Sequence, residues 1–234
     1  MGDYFGTDGI RGIANMELTP ELAFKIGRAG AYVLSQGNAG KVVVGRDTRK
    51  SGDMLEAALT AGICSVGLDI ISLGIIPTPA VAYLTRKYDA LAGIVISASH
   101  NPAEYNGIKF FDSKGHKLDD RIEEEIEGLI TEDDRIPAGP TGDGVGKRIV
   151  HSGGCGDYIE YLKSTIEGDL EGITVAIDCG NGALYRIALK FFKEMKAKVI
   201  AVNCEPDGVN INRECGSTNP SIVQELVAKT GADI

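Results

Sequence analysis

The stretch "GIVISASHNP" (93–102) sets an apolar run directly against Ser99 and His100, and Lys109 follows within "YNGIKFF". A serine held at the end of a strand can carry an acyl or a phosphoryl group. The acyl reading lacks its usual pattern, because the Gly-x-Ser-x-Gly turn of serine hydrolases does not occur around Ser99. Adjacent residues of an extended segment point to opposite sides, so His100 is a poor base for the hydroxyl of Ser99. The ordinary reading of "SASHNP" is a turn, since Ser, Asn and Pro all favour one. Lys109 is flanked by apolar residues, where a lysine with no task is unusual. Arg11, in the glycine-rich "FGTDGIRG" (5–12), brings a planar fork of donors suited to phosphate, and the glycines leave room for a ligand to approach the backbone.

Other polar clusters read as structure. In "GRDTRKSG" (45–52) Asp47 with Arg46 or Arg49 makes a loop ion pair in preference to a substrate contact. "PDGVNIN" (206–212) places Val209 and Ile211 where a calcium loop needs oxygen ligands, and "TGDGVG" offers one carboxylate, so both are turns. His116 and His151 have no partners at ligand spacing and read as solvated surface residues.

The elements that must hold these residues alternate. Thr19-Pro20-Glu21 opens a helix continued by Leu22, Ala23, Ile26, Ala29 and Val33 at helical spacing. "KVVVG" (41–45) is a buried strand, Ser51 caps a helix through Leu55, Leu59 and Ile63, and Gly67 ends it before the strand "LDIISLG". The helix "PAVAYLTRKY", the strand "GIVIS", a strand at "NGIKFFD" and the acidic helix "DDRIEEEIEGLI" complete the first part. Residues 131–154 carry no periodicity and place a boundary near Ser152. Beyond it "DYIEYLKSTI", "ALYRIALKFFKEM" and "PSIVQELVAKTG" are helices, "ITVAIDC" and "KVIAVN" are strands, and "ADI" opens another strand. The expected architecture is α/β: domains 1–152 and 153–234, each a mainly parallel mixed sheet flanked by helices. Ligands of such sheets sit beyond the carboxyl ends of the strands, where Ser99 falls.

A length of 234 residues with 43% hydrophobic content supports folded cores, and a net charge of -9 argues against nucleic acid or anionic membranes as partners. A small molecule fits better. The five cysteines never form Cys-x-x-Cys pairs, which points to free thiols in a reducing cytoplasm. No apolar run reaches the roughly 18 residues of a membrane span, and "MGDYFGTDGIRG" lacks the core of a signal peptide.

Taken in order, "YFGTDGIRG", "GRDTRKSG", "GIVISASHNP", "YNGIKFF", "DCGNGA" and "PDGVNINRECGSTNP" resemble the α-D-phosphohexomutase family, most closely its bacterial hexosamine-phosphate branch. The resemblance implies that Ser99 carries a phosphoryl group and exchanges it with a hexosamine phosphate. Glucosamine 6-phosphate and glucosamine 1-phosphate would interconvert through a bisphosphate that turns over in the site. Glucose or mannose phosphate is the alternative substrate, and a non-catalytic sugar-phosphate-binding module is the alternative role. By the same likeness Arg11 binds phosphate, Lys109 acts as acid or base, His100 adds a local cation, and Ser99 lends an oxygen to Mg²⁺. The aspartate-rich loop that supplies the other metal ligands of the family has no counterpart here, so the chain is expected to hold the first domain and most of the second of a four-domain enzyme, and to be inactive alone. An unpaired sheet edge invites self-association into a homodimer.

Overall fold

Thr19 accepts a hydrogen bond from the backbone N–H of Leu22 at 3.2 Å and Pro20 supplies the first helical residue, so α1 (Pro20–Ser35) starts where its sequence directs. Such a cap is worth about 1 kcal/mol. The computed structural model describes residues 4–6, 9–132 and 135–234. Thr7 and Asp8 of the "FGTDGIRG" stretch lie outside the described residues.

After α1 come β3 (Lys41–Arg46), α2 (Ser51–Ser65), β4 (Asp69–Ile75), α3 (Thr78–Lys87), β5 (Ala92–Ile96), β6 (Tyr105–Asp112), α4 (Asp120–Thr131) and β7 (Arg148–Val150). Two short strands, β1 (Phe5–Gly6) and β2 (Gly9–Ile13), precede α1. Together they form a seven-stranded sheet in the order β1-β2-β6-β5-β3-β4-β7. Strands β5, β3, β4 and β7 are parallel, whereas β6, β2 and β1 join antiparallel. The antiparallel β6 returns from the end of β5, so the connection carrying Ser99 is a tight reversal at the carboxyl end of the parallel strands.

Alternation along β3 sends Val42 and Val44 to one face and Val43 to the other, as a sheet covered on both sides requires. The first face packs on α1, α2 and α4 through residues such as Ile26, Leu59 and Ile126. Helices α1 and α2 meet with almost no space between backbones: a Cβ at Gly62 would lie 2.2 Å from the Phe24 carbonyl oxygen. Only glycine permits that approach.

The other face is covered by α3 and by α5 (Gly154–Ser164) and α6 (Tyr185–Glu194), with Tyr158, Ile187 and Phe191 joining Val43, Leu84 and Val95 in one apolar cluster. A two-stranded parallel sheet, β8 (Thr174–Asp178) and β9 (Lys198–Val202), lies beyond it, followed by α7 (Ser221–Thr230). Among the described residues no helix is long and apolar enough to cross a membrane, and the five thiols are free.

Four sequence readings need correction. Ser51 is the first residue of α2, not its cap; Lys50 holds the cap position, and the Ser51 hydroxyl accepts from the amide of buried Asn106 at 2.9 Å. "ADI" is not a strand, although Asp233 and Ile234 donate backbone N–H groups to Thr174 and the Ile234 carbonyl accepts from Ala176. His151 is not simply solvated: its ring meets Tyr88 edge-on at 5.0 Å and its Nε2 lies 3.7 Å from Asp157. The segment after β5 is not extended, because Asn101 N–H bonds back to the Ala98 carbonyl and closes a turn with Ser99 at φ 55°.

Candidate functional site

Three strands set the floor of the site by register. Arg11 on β2 pairs with Gly107 on β6, and Gly107 accepts from the N–H of Ser97 at the end of β5. One row of the face therefore reads Arg11, Gly107, Ser97. The next row inward reads Gly9, Lys109, Val95. Two residues of strand separate the rows, about 7 Å. Arg11 is exposed and Lys109 half-buried, so both basic side chains rise from the same face on neighbouring strands. Gly107 makes this possible, because a Cβ there would lie 2.8 Å from the Ser97 carbonyl and 3.0 Å from Cγ of Arg11.

Ser99 lies one step past that row, on the turn that leads from β5 to β6. Its side chain and that of His100 are exposed, and its backbone is left-handed at φ 55°. Such a conformation in a non-glycine residue costs of order 1 kcal/mol and survives only where the surroundings enforce it.

The enforcing group is Arg49. Its side chain is fully buried, its Nε bonds Asp47 Oδ2 at 2.9 Å, and its Nη2 donates to the carbonyls of Ser99 at 3.0 Å and Asn101 at 2.8 Å. A further bond from Nη1 reaches the Pro102 carbonyl. Asp47 Oδ2 also accepts from the Ser97 hydroxyl at 2.6 Å, and Ser97 Oγ accepts from Ser99 N–H at 3.1 Å. The circuit is closed: both the amide and the carbonyl of Ser99 lead back to the Asp47–Arg49 pair. Structural duty for that pair agrees with the sequence reading.

The second sheet contributes as well. Asp178 ends β8 with one carboxylate oxygen accepting from Gly180 N–H and Asn203 Nδ2, and the other from Gly216 N–H at 2.7 Å. The loops so gathered touch the first sheet's loops, since Thr48 Oγ1 donates to the Asn181 carbonyl at 2.6 Å and Lys50 N–H to that of Gly208 at 2.9 Å. Asn212 Nδ2 reaches the carbonyls of Ser99 at 2.9 Å and Asn101 at 3.1 Å. A cleft of about 430 Å³ opens between the two loop sets, with His100, Glu104, Asn212 and Arg213 on its walls.

The structure thus brings Ser99, His100 and Arg11 to one end of the sheet and puts Lys109 one row below. Sequence reasoning missed Asn212, Ser97 and the reach of Arg49 to the loop. The signal for Arg49 was its i,i+2 spacing to Asp47 beside a strand end, but nothing local marks Asn212, which lies 113 residues from Ser99. Cys179, beside Asp178, is held out of the chemistry: burial pushes its thiol up to about 11.

Chemically, the arrangement offers an exposed hydroxyl on a rigid turn, with basic side chains on the adjoining strands and no carboxylate hydrogen-bonded to that hydroxyl among the described residues. Among the described residues no group of three or more His, Cys, Asp or Glu could hold a metal ion. Mg²⁺ would find in these residues the oxygen of Ser99 and no complete ligand set.

Residues 2–136 match the family described as phosphoglucomutase/phosphomannomutase, alpha/beta/alpha domain I. Phosphoglucosamine mutases of Thermoanaerobacter sp. (strain X514) and Clostridium acetobutylicum are 60% and 57% identical over the whole chain, which covers 52% of each. The chain spans about half the length of these curated relatives. Among solved structures, a phosphoglucomutase/phosphomannomutase family protein from Burkholderia thailandensis superposes with a TM-score of 0.80 at 27% identity, over 95% of this chain and 49% of the other.

Proposed function

The chain belongs to the phosphoglucomutase/phosphomannomutase family, and from that premise we propose that it forms the serine-bearing half of a phosphoglucosamine mutase. Ser99 carries a phosphoryl group, passes it to the free hydroxyl of a hexosamine phosphate, and takes back the other phosphoryl group from the bisphosphate. The P–O bond to Ser99 breaks as the P–O bond to the sugar oxygen forms, and the sugar's proton leaves to a nearby base. The observation that carries this reading is the Ser99 turn itself: an exposed hydroxyl whose backbone is fixed on both sides by the buried Asp47–Arg49 pair.

Phosphoryl transfer needs alignment and positive charge more than a strong base on the serine. The rigid turn supplies alignment. A phosphoserine adds about -1.5 to -2 charges to a chain of net charge -9. Arg11 binds phosphate, His100 adds a cation at the rim, and Lys109 exchanges the proton of the reacting sugar hydroxyl. Mg²⁺, bound in part through Ser99, would neutralise charge on the transferring group; its other ligands are not among the described residues. The protein works in the cytoplasm on a small sugar phosphate. Residues 1–152 form the phosphoserine unit and 153–234 the second unit, and β7 and α5 flank that division.

The test is turnover by the full-length protein on glucosamine, glucose and mannose 6-phosphates side by side. Glucosamine 6-phosphate is expected to be turned over best, and Ser99→Ala to abolish turnover of all three. Preference for glucose or mannose phosphate would reassign the substrate. Retained turnover in Ser99→Ala would end the phosphoserine reading.

A further inference from the structure

The Ser99 turn is held from two directions, and one hand belongs to the other sheet. Arg49 Nη2 and Asn212 Nδ2 donate to the same two carbonyls, those of Ser99 and Asn101, at 2.8 to 3.1 Å. A carbonyl oxygen has two lone pairs, so the two donors complete each acceptor. Asn212 is itself fixed: its backbone sits at φ 58°, its N–H bonds the Gly180 carbonyl at 2.9 Å, and Gly180 N–H bonds Asp178 at the end of β8. A continuous hydrogen-bonded path therefore runs from β8 through Gly180 and Asn212 to the backbone of Ser99.

We propose that Asn212 is a positioning residue for the transfer reaction, setting the direction of the Ser99 hydroxyl through the carbonyls of the turn and tying that direction to the second sheet. The proposal rests on the reading of Ser99 as the phosphate carrier. In this role Asn212 acts on the carbonyls of the turn and not on the sugar. Its requirement is for a donor. An aspartate of the same shape would set a carboxylate against two carbonyl oxygens and push the turn out of line. A misplacement of about 1 Å at a reacting group can cost on the order of 100-fold in rate. Substrate binding through Arg11 does not depend on the turn's direction, so the larger loss belongs in kcat.

The experiment is steady-state kinetics of Asn212→Asp, Asn212→Gln and Ser99→Ala in the full-length protein with glucosamine 6-phosphate, together with thermal melting of each. Asn212→Asp is expected to lower kcat about 10- to 100-fold with KM within about threefold of the parent. Asn212→Gln, which keeps the donor, is expected to recover a substantial part of the loss at similar melting temperature. Parent-like kcat in Asn212→Asp, or a loss confined to KM, overturns the positioning role. So does an Asn212→Gln as slow as Asn212→Asp, since the donor would then not be what matters. If Asn212→Asp fails to fold, Asn212→Ala takes its place with the same expected split, and parent-like kcat there overturns the proposal equally. Ser99→Ala separates the two ideas: turnover retained in that variant defeats the phosphoserine reading itself, whereas its loss beside a normal Asn212→Asp defeats only the positioning role.

Discussion

Replacing Arg49 by methionine removes the group on which the most polar contacts in the site converge. Its side chain is fully buried and its partner Asp47 nearly so, and together they satisfy Ser97, Ser99, Asn101 and Pro102. Breaking one side of a buried ion pair costs about 3–5 kcal/mol, because the remaining charge is left without compensation. The carbonyls of Ser99 and Asn101 keep Asn212, so they add little; that of Pro102 loses the Arg49 bond and adds about 1 kcal/mol. The sum, about 4–6 kcal/mol, is a large share of the roughly 5–15 kcal/mol that stabilises a folded protein. At about 2–4 °C per kcal/mol for a chain of this size, the melting temperature should fall by on the order of 10–20 °C. Calorimetry and urea titration of Arg49→Met, Asp47→Asn and the double variant measure it. Because both residues belong to one network, the double variant should cost at least about 1 kcal/mol less than the sum of the singles. An Arg49→Met protein within about 1 kcal/mol of the parent, or strict additivity, would refute the idea that this pair holds the turn.

Other expectations follow from neighbouring features. Gly107→Ala should destabilise by about 1–3 kcal/mol through overpacking, since its Cβ would press on the Ser97 carbonyl and displace Arg11; Gly128→Ala on α4, with open space around it, should stabilise by about 0.5–1 kcal/mol, and urea midpoints that move together would contradict this. Hydrogen bonds from Lys87 and then Tyr88 hold the Asp157 carboxyl below the ordinary carboxylate range. A depressed folded value gives stability that is present above the unfolded value near 4 and lost as pH falls through the folded one. Asp157→Asn should therefore melt lower than the parent at pH 7, with the gap closing below about pH 4; a gap that is constant with pH would contradict it. Burial and then the nearby Cys204 and Asp178 raise the thiol of Cys179 to about 11, so its alkylation by iodoacetamide at pH 8 should run about 100-fold slower than that of an unfolded-chain thiol, and equal rates in native and denatured protein would refute it.

The α-helices and the buried parallel strands were readable because each is a local pattern: Thr19-Pro20 opens α1, and the apolar runs at β3, β4 and β5 need no partner to be recognised, whereas the short exposed parallel strand β7 falls in the stretch 131–154 that shows no periodicity. Direction is another matter. Nothing in "NGIKFFD" states that β6 runs against β5, yet that antiparallel return and the pairing of β2 with β6 are what set Arg11 and Lys109 on one face. The serine could be placed at a strand end from "GIVISASHNP" alone. Its left-handed turn could not, because the conformation is imposed by Arg49 and Asn212, 50 and 113 residues away. Ser51 misled for the same reason: its hydroxyl, a good cap in isolation, is taken by Asn106 from β6.

The most direct measurement is phosphopeptide mapping of the full-length protein after incubation with a hexosamine bisphosphate, in step with its rate of isomerisation. One phosphoryl group on Ser99, lost and regained at a rate matching turnover, is the predicted result. A phosphoryl group on any other side chain, or isomerisation by protein that never becomes phosphorylated, would contradict the account.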